Sequence, residues 1–258
     1  MASWEHNGKT IGYSLDGDGV GILAFHGTTQ KADAWNQVRE ACSIPAQWIG
    51  FEFPGSGDSS MPTSAIDLDE MIHDAVALVA HLGHTAFHVV GYSLGAVAAL
   101  RCAALYPDQT MTVTSLCGWS VSDARMKVTF DLWRRLIAID RELFMRYALA
   151  DGYTAAGLEG LAPMYDMVVA MAASGVQPGS DAHLELDIRV DIESSLDAIR
   201  APCLVIGATE DRWVDISCSR HLASRITHAS LLELPAGHLV IGELASEVAA
   251  AISKHVSN

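Results

Sequence analysis

Short apolar runs alternate with amphipathic stretches along most of the chain, and this alternation predicts its secondary structure. Runs rich in β-branched, aromatic and other apolar residues predict strands at residues 9–15, 20–25, 47–53, 87–90, 112–117, 203–206 and 230–234. The range 65–83 carries apolar residues at helical spacing, acidic residues near its start and Gly83 at its end, which predicts a helix. A similar stripe from Leu244 to Val256 predicts a closing helix. Strands separated by helices indicate an α/β protein with a mainly parallel, doubly wound sheet.

The alternation stops between Gly118 and Ala198, where the pattern is helical and shows no evident strand. We therefore expect an α/β core formed by residues 1–119 and 198–258, and an inserted helical cap at 120–197. Most large side chains of the cap should pack in its own interior, whereas a few should line a pocket beneath it. The residues that we expect to line that pocket are Trp119, Phe130, Trp133, Met164, Trp213 and Leu239.

Composition and charge narrow the possible functions. Of the 258 residues, 50% are hydrophobic and 18% are charged, a balance typical of a globular enzyme with a large core. The formal net charge of −15 argues against nucleic acid and membranes as partners, because both bind clustered Lys and Arg. The five cysteines form no C-x-x-C pair, and no apolar run is long enough to span a membrane. With no signal-peptide pattern at the start, we expect a soluble cytoplasmic monomer or homodimer.

The pentapeptide Gly91-Tyr92-Ser93-Leu94-Gly95 is the most informative motif in the chain. A strongly apolar predicted strand precedes it, and a run of small and apolar residues at helical spacing follows it. Glycines two residues before and after a serine permit a sharp strand-to-helix turn that exposes the serine hydroxyl above a sheet. The unpaired amides at the start of the following helix favour negative charge nearby. The motif therefore predicts Ser93 as a nucleophile.

A serine nucleophile needs a general base at neutral pH, and eleven histidines compete for that role. His238 is the best candidate, because it follows the last predicted strand on a Pro/Gly loop, where an α/β sheet holds its ligands. His88 lies inside the strand before Ser93 and should face away from the open side of the turn. Histidines in helix and loop positions typical of solvated or capping residues are His73, His81, His84, His221, His228 and His255.

The acid that orients the base should follow the strand predicted at 203–206. Asp211 is our choice, because the strand and turn before it leave its carboxylate at the carboxyl end of the sheet. Glu210 and Asp215 lie close in sequence and stay as alternatives, although each is also typical of a solvated surface carboxylate.

The oxyanion formed by attack on a carbonyl needs preorganised amide donors. One should be the amide of Leu94, directly after the nucleophile. The second should be the amide of Thr28, because Gly27 allows the chain to turn closely after the strand at 20–25. His26 should then be structural and support this loop.

With these residues placed, the chain resembles the α/β-hydrolase superfamily, in the branch of small cap-bearing bacterial esterases, enol-lactonases and carbon–carbon bond hydrolases. Besides the Ser93 pentapeptide, the segments that carry the resemblance are His26-Gly27, Pro54-Gly55-Ser56-Gly57-Asp58-Ser59, Ile199-Arg200-Ala201-Pro202, Gly207 before Asp211, and Gly237-His238. The resemblance implies a Ser93-His238-Asp211 triad, an oxyanion hole from the Thr28 and Leu94 amides, and no metal or organic cofactor. The order of nucleophile, acid and base along the chain is also that of the α/β-hydrolases.

The chain departs from this family at some positions. Members often carry aspartate where Glu52 stands here, and proline where Asp215 stands, which should affect loops more than chemistry. Similar dehalogenases and most epoxide hydrolases use an aspartate nucleophile, so Ser93 argues against both activities.

These features predict a serine hydrolase that cleaves a small, largely apolar ester or lactone through an acyl-enzyme. The alternatives are hydrolysis of a carbon–carbon bond in a β-diketone-like substrate, and a ligand-binding protein or cyclase that does not hydrolyse. Arginines of the cap that could bind a substrate carboxylate, although a solvated surface role is more usual, are Arg134, Arg135 and Arg141.

Overall fold

The computed structural model describes residues 2–257 as a central sheet with helices on both faces. The strands are β1 (Ala2–His6), β2 (Lys9–Asp16), β3 (Val20–Phe25), β4 (Ala46–Phe51), β5 (Phe87–Tyr92), β6 (Thr110–Leu116), β7 (Cys203–Ala208) and β8 (Ala229–Leu234). The α-helices are α1 (Asn36–Ala41), α2 (Leu68–His81), α3 (Leu94–Leu105), α4 (Ala124–Ile139), α5 (Arg141–Gly152), α6 (Ala155–Leu161), α7 (Tyr165–Gly175), α8 (Ser180–Arg189), α9 (Ile216–Arg225), α10 (Val240–Glu243) and α11 (Ala245–Val256).

The eight strands form one sheet in the order β1-β2-β4-β3-β5-β6-β7-β8. All neighbours from β4 to β8 along this order are parallel, whereas β1 pairs with β2 and β2 with β4 in antiparallel register. The chain moves from β3 outward to β4 and then returns to the other side of β3 as β5. Ligands of open α/β sheets bind at such a reversal, above the carboxyl ends of the strands. The prediction of a mainly parallel, doubly wound α/β sheet is confirmed.

Alternation along the strands divides the core between the two faces of the sheet. Leu23 and Phe25 of β3 pack in one buried cluster with α2 and α3, while Ile22 and Ala24 pack in the other with α11. Successive side chains of a strand point to opposite faces, so both faces of β3 are apolar and both need covering by helices. This explains why the buried strands have continuous apolar runs in the sequence.

The strand β1 is not predicted by the sequence pattern, and several other elements begin or end a few residues from their predicted bounds. β1 lies at the edge of the sheet and pairs only with β2, and its residues are exposed or half-buried, so it carries no apolar run. Asp67 caps α2 by accepting a hydrogen bond from the Glu70 amide, so this helix begins at Leu68 and not at the start of the predicted range 65–83.

Five α-helices, α4 to α8, lie between β6 and β7 and occupy the range predicted as helical; we call them the inserted helices. Asp123, Asp140 and Thr154 cap three of them through side-chain oxygens. An isolated antiparallel bridge between Val121 and Asp191 joins the two ends of the segment. Across residues 2–257, no helix combines the length and apolar character required to cross a membrane.

Candidate active site

Ser93 occupies a strained turn between β5 and α3. Its backbone angles, φ 57° and ψ −122°, lie in a region that residues with a β-carbon rarely adopt. A β-carbon at Gly91 would overlap the carbonyl oxygen of Gly95, and one at Gly95 would overlap that of Phe25. Both glycines of the pentapeptide are therefore required by the close approach of backbone on each side of the serine.

Ser93, His238 and Asp211 form a continuous chain of hydrogen bonds. Ser93 Oγ lies 3.0 Å from His238 Nε2, and His238 Nδ1 lies 2.6 Å from Asp211 Oδ2. In this arrangement Nδ1–H donates to the carboxylate, so Nε2 is free to accept the serine hydroxyl proton. His238 and Asp211 are 2% and 7% exposed, which keeps the chain of bonds away from bulk water.

The carboxylate of Asp211 is held in one orientation. Its Oδ1 accepts hydrogen bonds from the amides of Trp213 and Val214, at 2.8 and 2.9 Å, which leaves Oδ2 for His238. The alternatives considered from the sequence lie elsewhere: Glu210 is exposed, and Asp215 caps α9 by accepting from the Ser217 amide. The structure thus brings Asp211, and neither alternative, to His238.

The His238 loop is fixed by aromatic rings and by the end of α5. The Tyr92 hydroxyl donates to the His238 carbonyl at 2.9 Å, and the Trp213 ring centroid lies 4.6 Å from that of the imidazole. The Leu239 amide donates to the Gly152 carbonyl at 3.0 Å. A β-carbon at Gly237 would overlap the same carbonyl, which explains glycine before the histidine.

The loop after β3 faces Ser93 across the reversal point of the sheet. His26 is fully buried; its Nδ1–H donates to the Gly27 carbonyl at 2.8 Å, and its Nε2 accepts from the Phe53 amide at 3.1 Å. Burial lowers the pKa of His26 to about 3, so the ring stays neutral, as this pair of bonds requires.

Thr28 and Ser93 line the same cavity, and α3 begins at Leu94, whose amide has no partner within the helix.

A cavity of about 440 Å³ opens above Ser93 and His238, between the sheet and the inserted helices. Trp133, Trp213 and Leu239, all expected at the pocket, line it. Lining side chains that the sequence analysis did not single out are Tyr92, Phe144, Met145, Ala148, Leu149, Tyr153, Val168, Ala172, Val176 and Ile241. Their apolar character was visible in the sequence, but which face of each helix turns inward was not.

The other residues expected at the pocket lie away from it. Trp119 is 1% exposed and donates from Nε1 to Ser122 Oγ at 2.8 Å, and Phe130 packs between Trp119 and Trp133 behind the cavity wall. Met164 is 47% exposed, because the short 3-10 turn that carries it turns outward. These residues form the interior and the outer surface of the inserted segment instead of the pocket.

The three arginines considered as ligands for a substrate carboxylate do not line the cavity, and each is paired with a protein group. Arg134 pairs with Asp181 through two hydrogen bonds, and Arg135 pairs with Asp131 on the same helix. Arg141 donates to the Val176 carbonyl at 3.3 Å. Among residues 2–257, the cation that lines the cavity is Lys31, whose Nζ lies 3.0 Å from Asp33 Oδ2 at the polar side.

Cys117 adds a third potential ligand beside Asp211 and His238. Within residues 2–257, these three residues form the group of Cys, His and acidic side chains that is compact enough to hold a metal ion. Their potential ligand atoms all lie within 4.8 Å of one another. Burial, followed by the nearby Asp211 carboxylate, holds the pKa of the Cys117 thiol well above its ordinary value. Two of the three residues, His238 and Asp211, are joined by the 2.6 Å hydrogen bond described above.

Four buried groups near the site have strongly shifted pKa values because burial disfavours their charged forms. The pKa of Asp187 is raised to about 8 and that of Glu52 to about 7. The pKa of His183 is lowered to about 4, beside the lowered pKa of His26. At neutral pH these histidines and Asp187 are mainly uncharged.

These shifts predict how stability depends on pH. A carboxyl group with a raised pKa stabilises the fold at low pH and loses that contribution as pH rises through the folded value, while a histidine with a lowered pKa loses its contribution as pH falls. Between pH 6.5, the ordinary pKa of histidine, and pH 8, the carboxyl groups dominate the pH dependence of stability. In this interval Asp187 is ionised in the unfolded chain and mainly protonated in the folded one. The free energy of unfolding should therefore fall by about 2 kcal/mol, at ~1.4 kcal/mol per pH unit.

Urea unfolding of the wild type and Asp187→Asn across this interval measures the effect. The wild type should lose stability toward pH 8, and the variant, which cannot ionise at that position, should lose clearly less. Parallel pH profiles for the two proteins would show that Asp187 does not titrate in this way.

A family model described as the alpha/beta hydrolase fold matches residues 22–243. The pyrrolizixenacetamide deacetylase of Xenorhabdus hominickii is 28% identical over 236 residues, covering 89% of this chain and 88% of that protein.

Two solved structures share the fold. The enol-lactonase from Burkholderia xenovorans LB400 superimposes with a TM-score of 0.86 at 19% identity, covering 100% of each chain. MGS-M2, an alpha/beta hydrolase enzyme from a Medee basin deep-sea metagenome library, superimposes with a TM-score of 0.89 at 19% identity. The match covers 100% of this chain and 98% of the MGS-M2 chain.

Proposed function

The chain belongs to the alpha/beta hydrolase fold family, and from this premise we propose that it is a serine hydrolase that cleaves a small, largely apolar ester or lactone through an acyl-enzyme on Ser93. One observation carries the proposal: the hydrogen-bonded chain from Ser93 through His238 to Asp211 meets a cavity with mainly apolar walls. A nucleophile with its base and an acyl-binding pocket are the parts that acyl transfer requires.

The reaction begins when His238 Nε2 accepts the proton of Ser93 and the serine oxygen attacks the substrate carbonyl carbon. Asp211 Oδ2 stabilises the resulting imidazolium through Nδ1, at the 2.6 Å contact. His238 then gives the proton to the leaving alcohol oxygen, and the acyl group stays bonded to Ser93. A water molecule, deprotonated by His238, attacks the acyl carbon and releases the acid, which restores the serine hydroxyl.

The negative charge of each tetrahedral intermediate is stabilised by the amides of Leu94 and Thr28. The Leu94 amide lies at the first position of α3, where the helix dipole adds to its effect. The Thr28 amide comes from the opposite side of the cavity, on the loop that His26 supports. Donors that are fixed before the reaction stabilise the developing charge without reorganisation.

The cavity walls indicate an apolar acyl group. The inserted helices contribute Leu149 and Val168 with other apolar side chains, and Ala148 and Ala172 leave space between them. Lys31 and Asp33 lie at the polar side. In this proposal residues 120–197 act as a cap whose inner face selects the acyl group, and the substrate enters with its acyl group toward the apolar walls.

Hydrolysis of an acyl amide is the second candidate, because the name of the Xenorhabdus relative specifies an acetamide deacetylase. The same nucleophile, base and oxyanion donors serve an amide, provided that His238 protonates the leaving nitrogen. We therefore include acetyl amides beside esters and lactones among the test substrates.

Rapid-mixing kinetics with p-nitrophenyl esters from acetyl to octanoyl, an aryl acetamide, a lactone and a vinylogous β-diketone tests the proposal. We expect a burst of p-nitrophenol and, by intact mass and peptide mapping, an acyl group on Ser93. Cleavage of the diketone alone, without an acylated intermediate, would favour carbon–carbon hydrolysis. Binding of these compounds with no turnover would favour the non-hydrolytic alternative.

A matched pair of substitutions on α7 tests the role of the inserted helices in acyl selection. Ala172 lines the cavity, whereas Ala170 on the same helix is exposed. Ala172→Phe should fill part of the cavity and reduce kcat/KM for octanoyl relative to acetyl esters by about 10-fold, because a long acyl chain then clashes with the ring. Ala170→Phe should leave this ratio unchanged. Equal octanoyl-to-acetyl ratios in the two variants would indicate that the acyl group does not bind against α7.

A further inference from the structure

We infer that Asp187, on α8, is a positioning residue that holds the Thr28 loop where its amide can stabilise the oxyanion, an inference that rests on the proposed function above. Thr28 Oγ1–H donates to Asp187 Oδ2 at 2.7 Å. Asp187 does not itself line the cavity, so it acts through Thr28.

The carboxyl group of Asp187 is buried in the interior of the protein. Its exposed fraction is 0%, and within residues 2–257 its Oδ1 has no hydrogen-bond partner although it is buried. Burial of a polar atom without a partner costs free energy, so an unpaired buried carboxyl oxygen calls for an explanation. The bond to Thr28 is the one side-chain hydrogen bond that Asp187 makes in this part of the chain.

The backbone around Asp187 is itself fixed. Trp119 Nε1 donates to Ser122 Oγ at 2.8 Å, and Ser122 Oγ–H donates to the Asp187 carbonyl at 2.5 Å. One turn earlier on α8, the buried His183 donates from Nε2 to the Pro54 carbonyl at 2.9 Å. The carboxyl group thus projects from a helix anchored to the core at two points.

The loop that receives this support is strained. Thr29 has φ 66°, a left-handed conformation that is rare for a β-branched residue. The Gly27 amide donates to Gln30 Oε1 at 3.1 Å, and the Gln177 amide donates to the Thr29 carbonyl at 3.2 Å. Thr28 lies between these two hydrogen bonds in sequence, and the hydrogen bond from its hydroxyl to Asp187 restrains the residue between them. Without it, relief of the strain would turn the Thr28 amide away from Ser93.

The test compares Asp187→Leu, which removes the acceptor, with Asp187→Asn, whose amide oxygen can still accept from Thr28. Beside kcat and KM for an ester, it measures the inhibition constant of a trifluoromethyl ketone, which forms an oxyanion on Ser93, and the affinity of the carboxylic acid product. His183→Leu is the structural control, because the buried hydrogen bond that it removes from α8 goes to the Pro54 carbonyl and not to Thr28.

Asp187→Leu should lower kcat and raise the inhibition constant of the trifluoromethyl ketone by a similar factor, about 10- to 100-fold, while KM and product affinity change little. Asp187→Asn should remain within about threefold of the wild type on all four measures, since it keeps the positioning bond. His183→Leu should reduce the melting temperature without a selective loss of the ketone. Thr28→Val, which keeps the amide but lacks the hydroxyl, should reproduce the Asp187→Leu result and serves if that variant does not fold.

The inference is overturned if Asp187→Leu or Thr28→Val weakens binding of the ketone no more than His183→Leu does. It is also overturned if kcat and ketone affinity fall as far in Asp187→Asn as in Asp187→Leu, because the hydrogen-bond acceptor at position 187 would then have no effect. Failure of the proposed function looks different: the wild type itself would neither hydrolyse the esters nor bind the ketone covalently.

Discussion

Replacement of Ser93 by alanine is expected to lower kcat for ester hydrolysis by roughly 10⁴- to 10⁶-fold. The variant loses the oxygen that attacks the carbonyl, and the two remaining members of the hydrogen-bonded chain, His238 and Asp211, are placed as base and orienting acid. Residual turnover should reflect binding and the oxyanion donors alone, with water as a poor substitute nucleophile.

The Ser93→Ala variant should fold as the wild type does, which makes the loss of rate interpretable. Alanine keeps the β-carbon, so the strained backbone at φ 57° is unchanged, and the flanking glycines still permit the turn. We expect a melting temperature close to that of the wild type and retained binding of substrate.

The measurement combines kcat with labelling by a fluorophosphonate probe. Wild-type protein should take up one probe per chain at Ser93, and Ser93→Ala should take up none. Ser224→Ala removes an exposed hydroxyl on α9 and should retain both labelling and rate. Activity of Ser93→Ala within tenfold of the wild type would rule out Ser93 as the nucleophile.

The fold and the Ser93 turn could be predicted from the sequence because their signals are local. Close backbone contacts require glycine at Gly91 and Gly95, and two buried faces give β3 and β5 their continuous apolar runs. The edge strand β1 lacks that signal because it has one partner and little buried surface. Burial pattern, more than strand propensity, made the elements visible.

The pocket wall was harder to predict because it depends on which helix faces meet. Trp119 and Leu149 are both buried apolar residues of this region, yet only Leu149 reaches the cavity. Asp187 shows the same limit for a polar group: its partner, Thr28, lies 159 residues away. An acidic residue on a short helix is usually solvated, so the sequence alone gives no reason to place this one in the interior.

Replacement of Asp211 by asparagine is expected to lower kcat by about 10⁴-fold, with little change in the fold. The direction of this effect follows from the two amides that hold the carboxylate. Trp213 and Val214 donate to Oδ1, so the asparagine oxygen must occupy that position and its NH₂ group must face His238. The imidazole then has to accept a hydrogen bond at Nδ1, so its proton lies on Nε2. A protonated Nε2 cannot accept the proton of Ser93.

The experiment measures kcat and the pH profile of Asp211→Asn beside two carboxyl controls. Glu210→Gln alters an adjacent exposed residue, and Asp215→Asn alters the residue that caps α9; both should keep the wild-type rate and profile. Asp211→Ala removes the acceptor without forcing the wrong tautomer, so it should retain more activity than Asp211→Asn does. If Asp211→Asn kept more than about a tenth of the wild-type kcat while Asp215→Asn did not, the acid would be Asp215 and the hydrogen bond from His238 to Asp211 would have no catalytic consequence.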